Sequence, residues 1–312
     1  MGVWTTWLLV GTFLMLLVLS FAEPAVSHKI ADLGKVPTEL KLDWYYLWAY
    51  PMIEELGPGF MWGFAFVGTL LLILIPWLPP RRRRSPARID LANCNGCTRC
   101  YVDCPFSAIE MVARSDGAPF EREAKVDSEL CVSCGICAGA CPTSTPFRRA
   151  SELSPGIDLP DFTMADLRAR TLAAAKGLSG RDRILVFDCE HALDTKRLAI
   201  ANAGVVRIRC AAMLPPSFLD FVLSRDLADG VVLTGCREGQ CQYRLGNQWV
   251  EERLDGVRDP RLRKRVLRQR LLKFWAATTD AAAFCTAVAD FKRRLGQMPA
   301  EERTKPREEE MA

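Results

Sequence analysis

Two copies of one cysteine pattern constrain this chain more than any other feature of its sequence. In each copy, gaps of two, two and three residues separate four cysteines, and a proline follows the fourth. The copies are Cys94-x2-Cys97-x2-Cys100-x3-Cys104-Pro105 and Cys131-x2-Cys134-x2-Cys137-x3-Cys141-Pro142. Disulfide frameworks are typical of small secreted domains, and zinc sites usually combine C-x2-C pairs at wider spacing. The pattern therefore favours iron–sulfur clusters held by thiolates.

The segment from Arg88 to Arg149 resembles the two-cluster bacterial ferredoxins, which have an α+β fold. In that family each cluster takes three cysteines from one motif and the fourth from the other. The resemblance implies two [4Fe–4S] clusters. The ligands of the first would be Cys94, Cys97, Cys100 and Cys141, and those of the second Cys131, Cys134, Cys137 and Cys104. Gly96 and Gly135 lie inside the loops, where a tight wrap needs residues that carry no Cβ.

Two uncharged apolar runs near the beginning of the chain predict a membrane domain with two transmembrane helices. Val3 to Ala22 and Phe60 to Leu78 are each long enough to cross a bilayer as a helix. Four arginines at residues 81–84 follow the second run and place its end in the cytoplasm. We therefore expect a multi-pass protein of the inner membrane, with both termini and the iron–sulfur domains on the cytoplasmic side. The alternative for the first run is a signal peptide that is cleaved after Ala22.

The predicted outer loop, residues 23–59, carries a second resemblance. Residues 42–50 are similar to the Pro-Glu-Trp-Tyr loop in the C-terminal half of cytochrome b, which lines a quinol-oxidation site. The resemblance implies a quinone at an interface, with Asp43 as the quinol proton acceptor and Trp44 and Tyr45 in the pocket. Leu42 and Asp43 depart from the proline and glutamate of that family. The alternative is that these are interfacial loop residues that form no site.

The partners that this second resemblance implies follow from what the chain lacks. Its only histidines are His28 and His191, so it cannot supply the haem-ligating histidines of cytochrome b. Haem b would therefore reside in a separate cytochrome b-like membrane subunit, accompanied by a Rieske or cytochrome c subunit. Membrane lipid would be a further partner. A net charge of +4 does not argue for nucleic acid.

Cysteines also follow three buried-strand patterns in the last third of the chain. The patterns span residues 183–187, 205–208 and 231–233, and the cysteines after them are Cys189, Cys210 and Cys236. Helical stretches separate the patterns, which predicts an α/β domain with a parallel sheet. Ligands of such sheets bind beyond the carboxyl ends of the strands, so these cysteines and Cys241 are expected to converge. The alternative is that each is a buried structural cysteine.

The segment from Thr234 to Asn247 resembles a Gly-Cys-x4-Cys-x-Tyr-x2-Gly-Asn motif in the delta subunit of methyl-viologen-reducing hydrogenase. The resemblance extends over about Arg183 to Leu295. It implies a [2Fe–2S] cluster whose ligands are Cys189, Cys210, Cys236 and Cys241. It also implies a cytoplasmic flavoprotein or heterodisulfide-reductase-like partner. Cys285 stands alone in a helical stretch and is expected to be structural.

Composition suggests how the chain divides. The predicted parts are residues 1–80 (membrane domain), 81–150 (ferredoxin domain), 151–180 (linker and helix), 181–298 (hydrogenase delta-subunit-like domain) and 299–312 (disordered tail). Met164 to Lys176 is predicted to be an amphipathic helix. Arg258 to Lys273 is predicted to be a basic helix, either a solvated face or a surface for anionic lipid or an acidic partner.

These features predict an oxidoreductase subunit that transfers electrons and carries no bond-making catalytic site of its own. In the main interpretation it connects a membrane quinone and haem b site to a cytoplasmic redox partner. In one alternative the helices only anchor an electron adapter for a hydrogenase or heterodisulfide-reductase-like enzyme, with no quinone site. In another the chain is a non-redox assembly factor whose clusters are structural.

Overall fold

The computed structural model describes residues 3–22, 34, 48–78, 84–148 and 153–299. Contacts divide the chain into two compact units, one spanning Val3–Arg83 and the other beginning at Arg84. Asp43, Trp44 and Tyr45 lie outside the described residues, and so does the predicted tail beyond residue 299.

The first unit is helical. Its helices are α1 (Val3–Ala22), α2 (Ala49–Leu56) and α3 (Pro58–Leu74), and a 3₁₀ turn, Ile75–Trp77, extends α3. Among the described residues, one helix is long and apolar enough to cross a membrane, Pro58–Trp77, and its side chains are not buried within the chain. In α1 the side chains are described from Trp7 onward, and Trp7–Ala22 counts as a shorter apolar helix. A second membrane span therefore remains a prediction.

The second unit begins with the ferredoxin-type fold that the cysteine motifs predict. Its elements are β1 (Arg88–Ile89), α4 (Arg99–Val102), β2 (Ile109–Ala113), β3 (Arg122–Val126), α5 (Ile136–Ala140) and β4 (Ile157–Asp158). β2 and β3 form an antiparallel hairpin, and β1 pairs with β4, also antiparallel. Each short helix, α4 or α5, carries one cysteine of a motif, Cys100 or Cys137.

The C-terminal part is an α/β layer structure on a four-stranded parallel sheet, as predicted. Its elements are α6 (Met164–Lys176), β5 (Ile184–Cys189), β6 (Ala203–Ile208), α7 (Pro216–Ser224), β7 (Gly230–Gly235), α8 (Gly246–Leu254), β8 (Leu271–Trp275) and α9 (Ala281–Gln297). The strand order is β6-β5-β7-β8. Alternate residues of β5 pack on opposite faces, because successive strand side chains point to opposite sides.

One hydrophobic core joins the ferredoxin part to the sheet. It runs from Ile136 in α5 through Met213 to Phe187 in β5. The stretch from residue 151, predicted to be a linker, contributes to this core where it is described, because Leu153, Ile157 and Leu159 are buried.

The predicted basic helix from Arg258 to Lys273 is wrong. The segment forms turns, a 3₁₀ turn (Arg268–Arg270) and the beginning of β8. Pro260 disfavours helical geometry in the residue before it. Arg263 and Arg265 then donate to the buried carboxylate of Asp220 in α7, at 3.0 and 2.6 Å, which fixes the turns against the domain.

Candidate iron–sulfur sites

The cysteines assigned to the first [4Fe–4S] cluster line one cavity, which we call site one. They are Cys94, Cys97, Cys100 and Cys141. Burial, followed by the charges of the other three cysteines, raises the pKa of the Cys100 thiol to about 12. Such mutual repulsion among thiolates is relieved when they bind metal, so the donor set fits an iron–sulfur cluster. The Cys97 side of the site is exposed to solvent.

An arginine stabilises the loop of site one by hydrogen bonds to its backbone. Arg114 lies on the chain that follows β2, and its guanidinium donates to the backbone carbonyls of Cys94 and Leu91 at 2.6 and 2.7 Å. Backbone N–H groups of Arg99 and Tyr101 donate to the sulfurs of Cys97 and Cys100 and lower their pKa values, against the effect of burial. Donors of this kind stabilise negative charge on cluster ligands.

The second group of cysteines lines a separate cavity, site two. They are Cys104, Cys131, Cys134 and Cys137. The N–H of Ala108 donates to the Cys104 sulfur at 3.3 Å, and the N–H of Ala87 donates to the Cys131 sulfur at 3.4 Å. Burial raises the pKa of the Cys134 thiol to about 12, and an N–H from Ile136 opposes this shift. Each cavity therefore combines three cysteines of one motif with the fourth of the other, as the ferredoxin resemblance implies.

Site three lies at the carboxyl ends of three adjacent strands. Cys189 ends β5, Cys210 follows β6, Cys236 follows β7, and Cys241 lies in the loop after Cys236. The Cys241 sulfur accepts hydrogen bonds from the thiols of Cys210 and Cys236, which lower its pKa. The thiols of Cys189 and Cys236 are also hydrogen-bonded to each other. The four predicted cysteines thus converge as a chain of contacting thiols.

The helix that follows Cys241 completes site three. A Cβ at Gly246, the first residue of α8, would lie 2.6 Å from the Cys210 sulfur and 3.2 Å from the Cys241 sulfur. Glycine is therefore required for the helix to begin this close to the sulfurs. The N–H of Asn247 donates to the Cys241 sulfur, so the positive end of α8 faces the site. The close approach accounts for the glycine of the motif, and the Asn247 side chain donates to the Cys236 carbonyl oxygen.

None of the thirteen cysteines forms a disulfide. In the part of the chain that the structure describes, no group of three or more His, Cys, Asp or Glu side chains is close enough to hold a single metal ion. Cys285 is exposed on α9 and remote from the three sites in sequence, and its expected structural role stays a prediction.

Site two neighbours both site one and site three through helix α5. Helix α5, which carries Cys137, packs on the 3₁₀ turn Ala211–Met213 that follows Cys210. The pKa of the Cys137 thiol is raised by burial and by the charges of nearby cysteines, Cys100 of site one among them. The pKa of Cys210 in site three is raised first by its hydrogen bond to Cys241 and by burial, and the Cys134 charge of site two adds to this shift.

Two groups of residues at these contacts were not predicted from sequence. The Tyr243 hydroxyl lies 3.0 Å from His191 Nε2, and its ring packs edge-on against Phe106 of site two. Arg253 of α8 pairs with Asp103, the residue before Cys104. Tyr243 is the tyrosine of the Gly-Cys-x4-Cys-x-Tyr-x2-Gly-Asn motif, so its place beside the cysteines was predictable from sequence. No local pattern marks Arg253 or Asp103.

Comparison with protein families supports this assignment. Residues 93–145 match the family model of the 4Fe-4S dicluster domain, and residues 182–299 match that of methyl-viologen-reducing hydrogenase, delta subunit. Together with the two cavities, these matches define an iron–sulfur electron-transfer protein that binds [4Fe–4S] clusters.

The relatives that the chain matches include a ferredoxin and two oxidoreductase subunits. An uncharacterized ferredoxin of Methanocaldococcus jannaschii is 36% identical over 56 residues, which cover 68% of that ferredoxin and 18% of this chain. Through this domain the chain belongs to the ferredoxin family. One subunit of the ferredoxin:CoB-CoM heterodisulfide reductase of Methanosarcina mazei is 26% identical over 220 residues. The iron-sulfur subunit of an F420-non-reducing hydrogenase of Methanococcus voltae is 26% identical over 94 residues.

The last two relatives are subunits of oxidoreductases, which is consistent with an electron-transfer role for this chain. The aligned regions cover 68% of this chain and 25% of the Methanosarcina protein, and 30% of this chain and 65% of the Methanococcus protein. The predicted likeness of residues 42–50 to cytochrome b finds no support in the comparisons. Neither family model includes that segment.

Proposed function

We propose that this chain is a membrane-anchored electron adapter for an enzyme of the heterodisulfide-reductase or hydrogenase type. Sites one and two would each hold a [4Fe–4S] cluster, and site three would hold a [2Fe–2S] cluster. When bound, such clusters supply one-electron transfer. The chain's own residues supply the thiolates, the N–H donors to sulfur and the apolar walls that exclude water.

The observation that carries this proposal is that site two neighbours both site one and site three. A structural cluster needs no neighbour, whereas a relay needs its sites in contact. Both ends of the series reach the surface, since Cys97 of site one is exposed and Cys241 of site three is half-buried. Two redox partners could therefore exchange electrons at opposite ends of the series without a mobile carrier.

Membrane attachment is the second element of the proposal. The apolar helix Pro58–Trp77 supports it, and we extend it to a second span in α1. The four arginines at residues 81–84 favour a cytoplasmic position for the three sites. In this proposal the helices anchor the adapter and contribute no quinone pocket, in contrast to the main interpretation from sequence.

The proposal is tested on the full chain, purified from native membranes in mild detergent. We expect about ten iron atoms per chain, since two [4Fe–4S] clusters and one [2Fe–2S] cluster contain that number. Reduction should give electron paramagnetic resonance (EPR) signals of both cluster types. A preparation with about four iron atoms, or with clusters that no reductant can reduce, would overturn the relay.

The same sample separates the adapter from the quinone-linked complex. A dithionite-reduced minus oxidised visible spectrum should show bleaching of iron–sulfur absorbance and no b-type haem band. Asp43→Ala should leave electron transfer through the complex unchanged. A haem band from a co-purifying subunit, together with loss of quinol turnover in Asp43→Ala, would instead establish the quinone site.

A further inference from the structure

A buried arginine joins site three to the ferredoxin part of the chain. Arg253 lies in the last turn of α8, and its side chain is 1% exposed. Its Nη2 donates to the Asp103 carboxylate, and its Nη1 donates to the Ala212 carbonyl oxygen at 2.7 Å. Asp103 precedes Cys104 of site two, and Ala212 lies two residues after Cys210 of site three. The guanidinium therefore lies between two sets of cluster ligands.

Around Arg253, positive charge exceeds negative charge. Asp103 is buried as well, with 3% of its side chain exposed, and it accepts a second ion pair from Arg258 at 2.7 Å. Two guanidinium groups thus share one buried carboxylate. Among the described residues, Arg253 Nε is one of the few buried side-chain atoms without a hydrogen-bond partner, which leaves part of its charge uncompensated.

Arg253 is held beside the turn that follows Cys210 of site three, through its hydrogen bond to the Ala212 carbonyl oxygen. Burial lowers the pKa of Arg253, whereas the charges of Asp103 and Cys210 both oppose this shift. A guanidinium keeps its proton in proteins, so Arg253 is a fixed positive charge beside the turn that follows Cys210. Such a charge is only weakly screened when it is buried.

We propose that Arg253 is a positioning residue that raises the reduction potential of the cluster in site three and holds that site against site two. The inference rests on the proposed function, because it requires a cluster on Cys189, Cys210, Cys236 and Cys241. One-electron reduction makes the cluster more negative by one charge and breaks no bond. A nearby positive charge stabilises the reduced form, and a nearby carboxylate stabilises the oxidised form.

The test is a redox titration of the full chain with dithionite and mediator dyes, followed by EPR. The [2Fe–2S] signal is recorded at a temperature at which reduced [4Fe–4S] signals are broadened beyond detection. Arg253→Gln should shift the midpoint potential of this signal downward, and Asp103→Asn should shift it upward. Arg253→Lys keeps the charge and should restore most of the potential. Arg268→Gln removes an equal charge from an exposed pair with Asp255 and should change nothing.

The opposite signs distinguish a charge effect from a packing effect. Loss of packing alone would shift both variants in the same direction or in neither, and that result would overturn the inference. If Arg253→Gln or Asp103→Asn does not fold, Arg258→Gln provides the same test, since Arg258 is partly exposed and loses the same kind of charge. It should lower the midpoint potential relative to the wild type, and an unchanged or raised potential would contradict the inference.

Failure of the proposed function has a different signature. If the wild-type chain contains about eight iron atoms and no [2Fe–2S] signal, site three holds no such cluster and the proposed function is wrong in that respect. If the signal is present and the charge variants leave its potential unchanged, only the role of Arg253 is refuted.

Discussion

Gly139 of α5 sets how closely site two approaches site three, and Gly139→Ala tests this directly. A Cβ at this position would lie 2.8 Å from the Met213 carbonyl oxygen and closer still to that of Ala212, whereas ordinary contact begins at 3.4 Å. Both neighbours are backbone atoms in a buried turn, so no side-chain rotation can relieve the clash. Helix α5 and the turn must move apart.

We expect Gly139→Ala to cost about 2 kcal/mol, within the usual range for overpacking in a core. For a unit of about 200 residues, that cost corresponds to a fall of about 4–8 °C in the unfolding midpoint. The assay is the loss of cluster absorbance during heating of the full chain in detergent, at one fixed scan rate. Gly177→Ala is the matched control, because Gly177 ends α6 with an ordinary φ of −82° and no atom within 4 Å of an added Cβ.

The displacement should also be visible in the clusters. Magnetic interaction between the reduced clusters of sites two and three weakens as their distance grows, so their EPR signals should become narrower in Gly139→Ala. If Gly139→Ala has the same unfolding midpoint as Gly177→Ala and the wild type, and its EPR spectrum is unchanged, then α5 does not pack on residues 211–213 as described. The proposed order of the sites would fail with it.

Three further predictions follow from individual side chains. Cys236→Ser should abolish the [2Fe–2S] signal and remove about two iron atoms per chain, whereas Cys285→Ser, on an exposed surface, should keep all of them. Asp220→Ala should remove the partner that fixes Arg263 and Arg265, destabilise the fold by about 2 kcal/mol through the lost charged hydrogen bonds, and speed hydrogen exchange in residues 261–268. Unchanged exchange would refute the role of Asp220. Burial raises the pKa of Asp158 to about 6, above its usual value of 3.8, so the folded chain holds this proton more tightly than the unfolded chain. Its contribution to stability is therefore present at low pH and lost as the pH rises to about 6, and Asp158→Asn should remove this loss in denaturant titrations across that range.

The sequence by itself determined which cysteines act together. The gaps within each motif are short, so local geometry brings Cys94, Cys97 and Cys100 to one loop in almost any compact fold. The strands were predictable for a similar reason, since buried parallel strands are continuous apolar runs. Cys189, Cys210 and Cys236 follow such runs, and the parallel sheet aligns their ends. The grouping of these cysteines in space was therefore predictable from sequence.

Only the tertiary structure decided how the sites are arranged and what lies between them. Arg253 and Asp103 are 150 positions apart, and neither belongs to a motif. The turns after Arg258 were predicted to be a helix because the local sequence does not show that Asp220, a buried acid, binds two of their arginines. In each case the deciding partner is distant in sequence. Ion pairs and close backbone contacts of this kind depend on how whole elements pack, and no local periodicity records them.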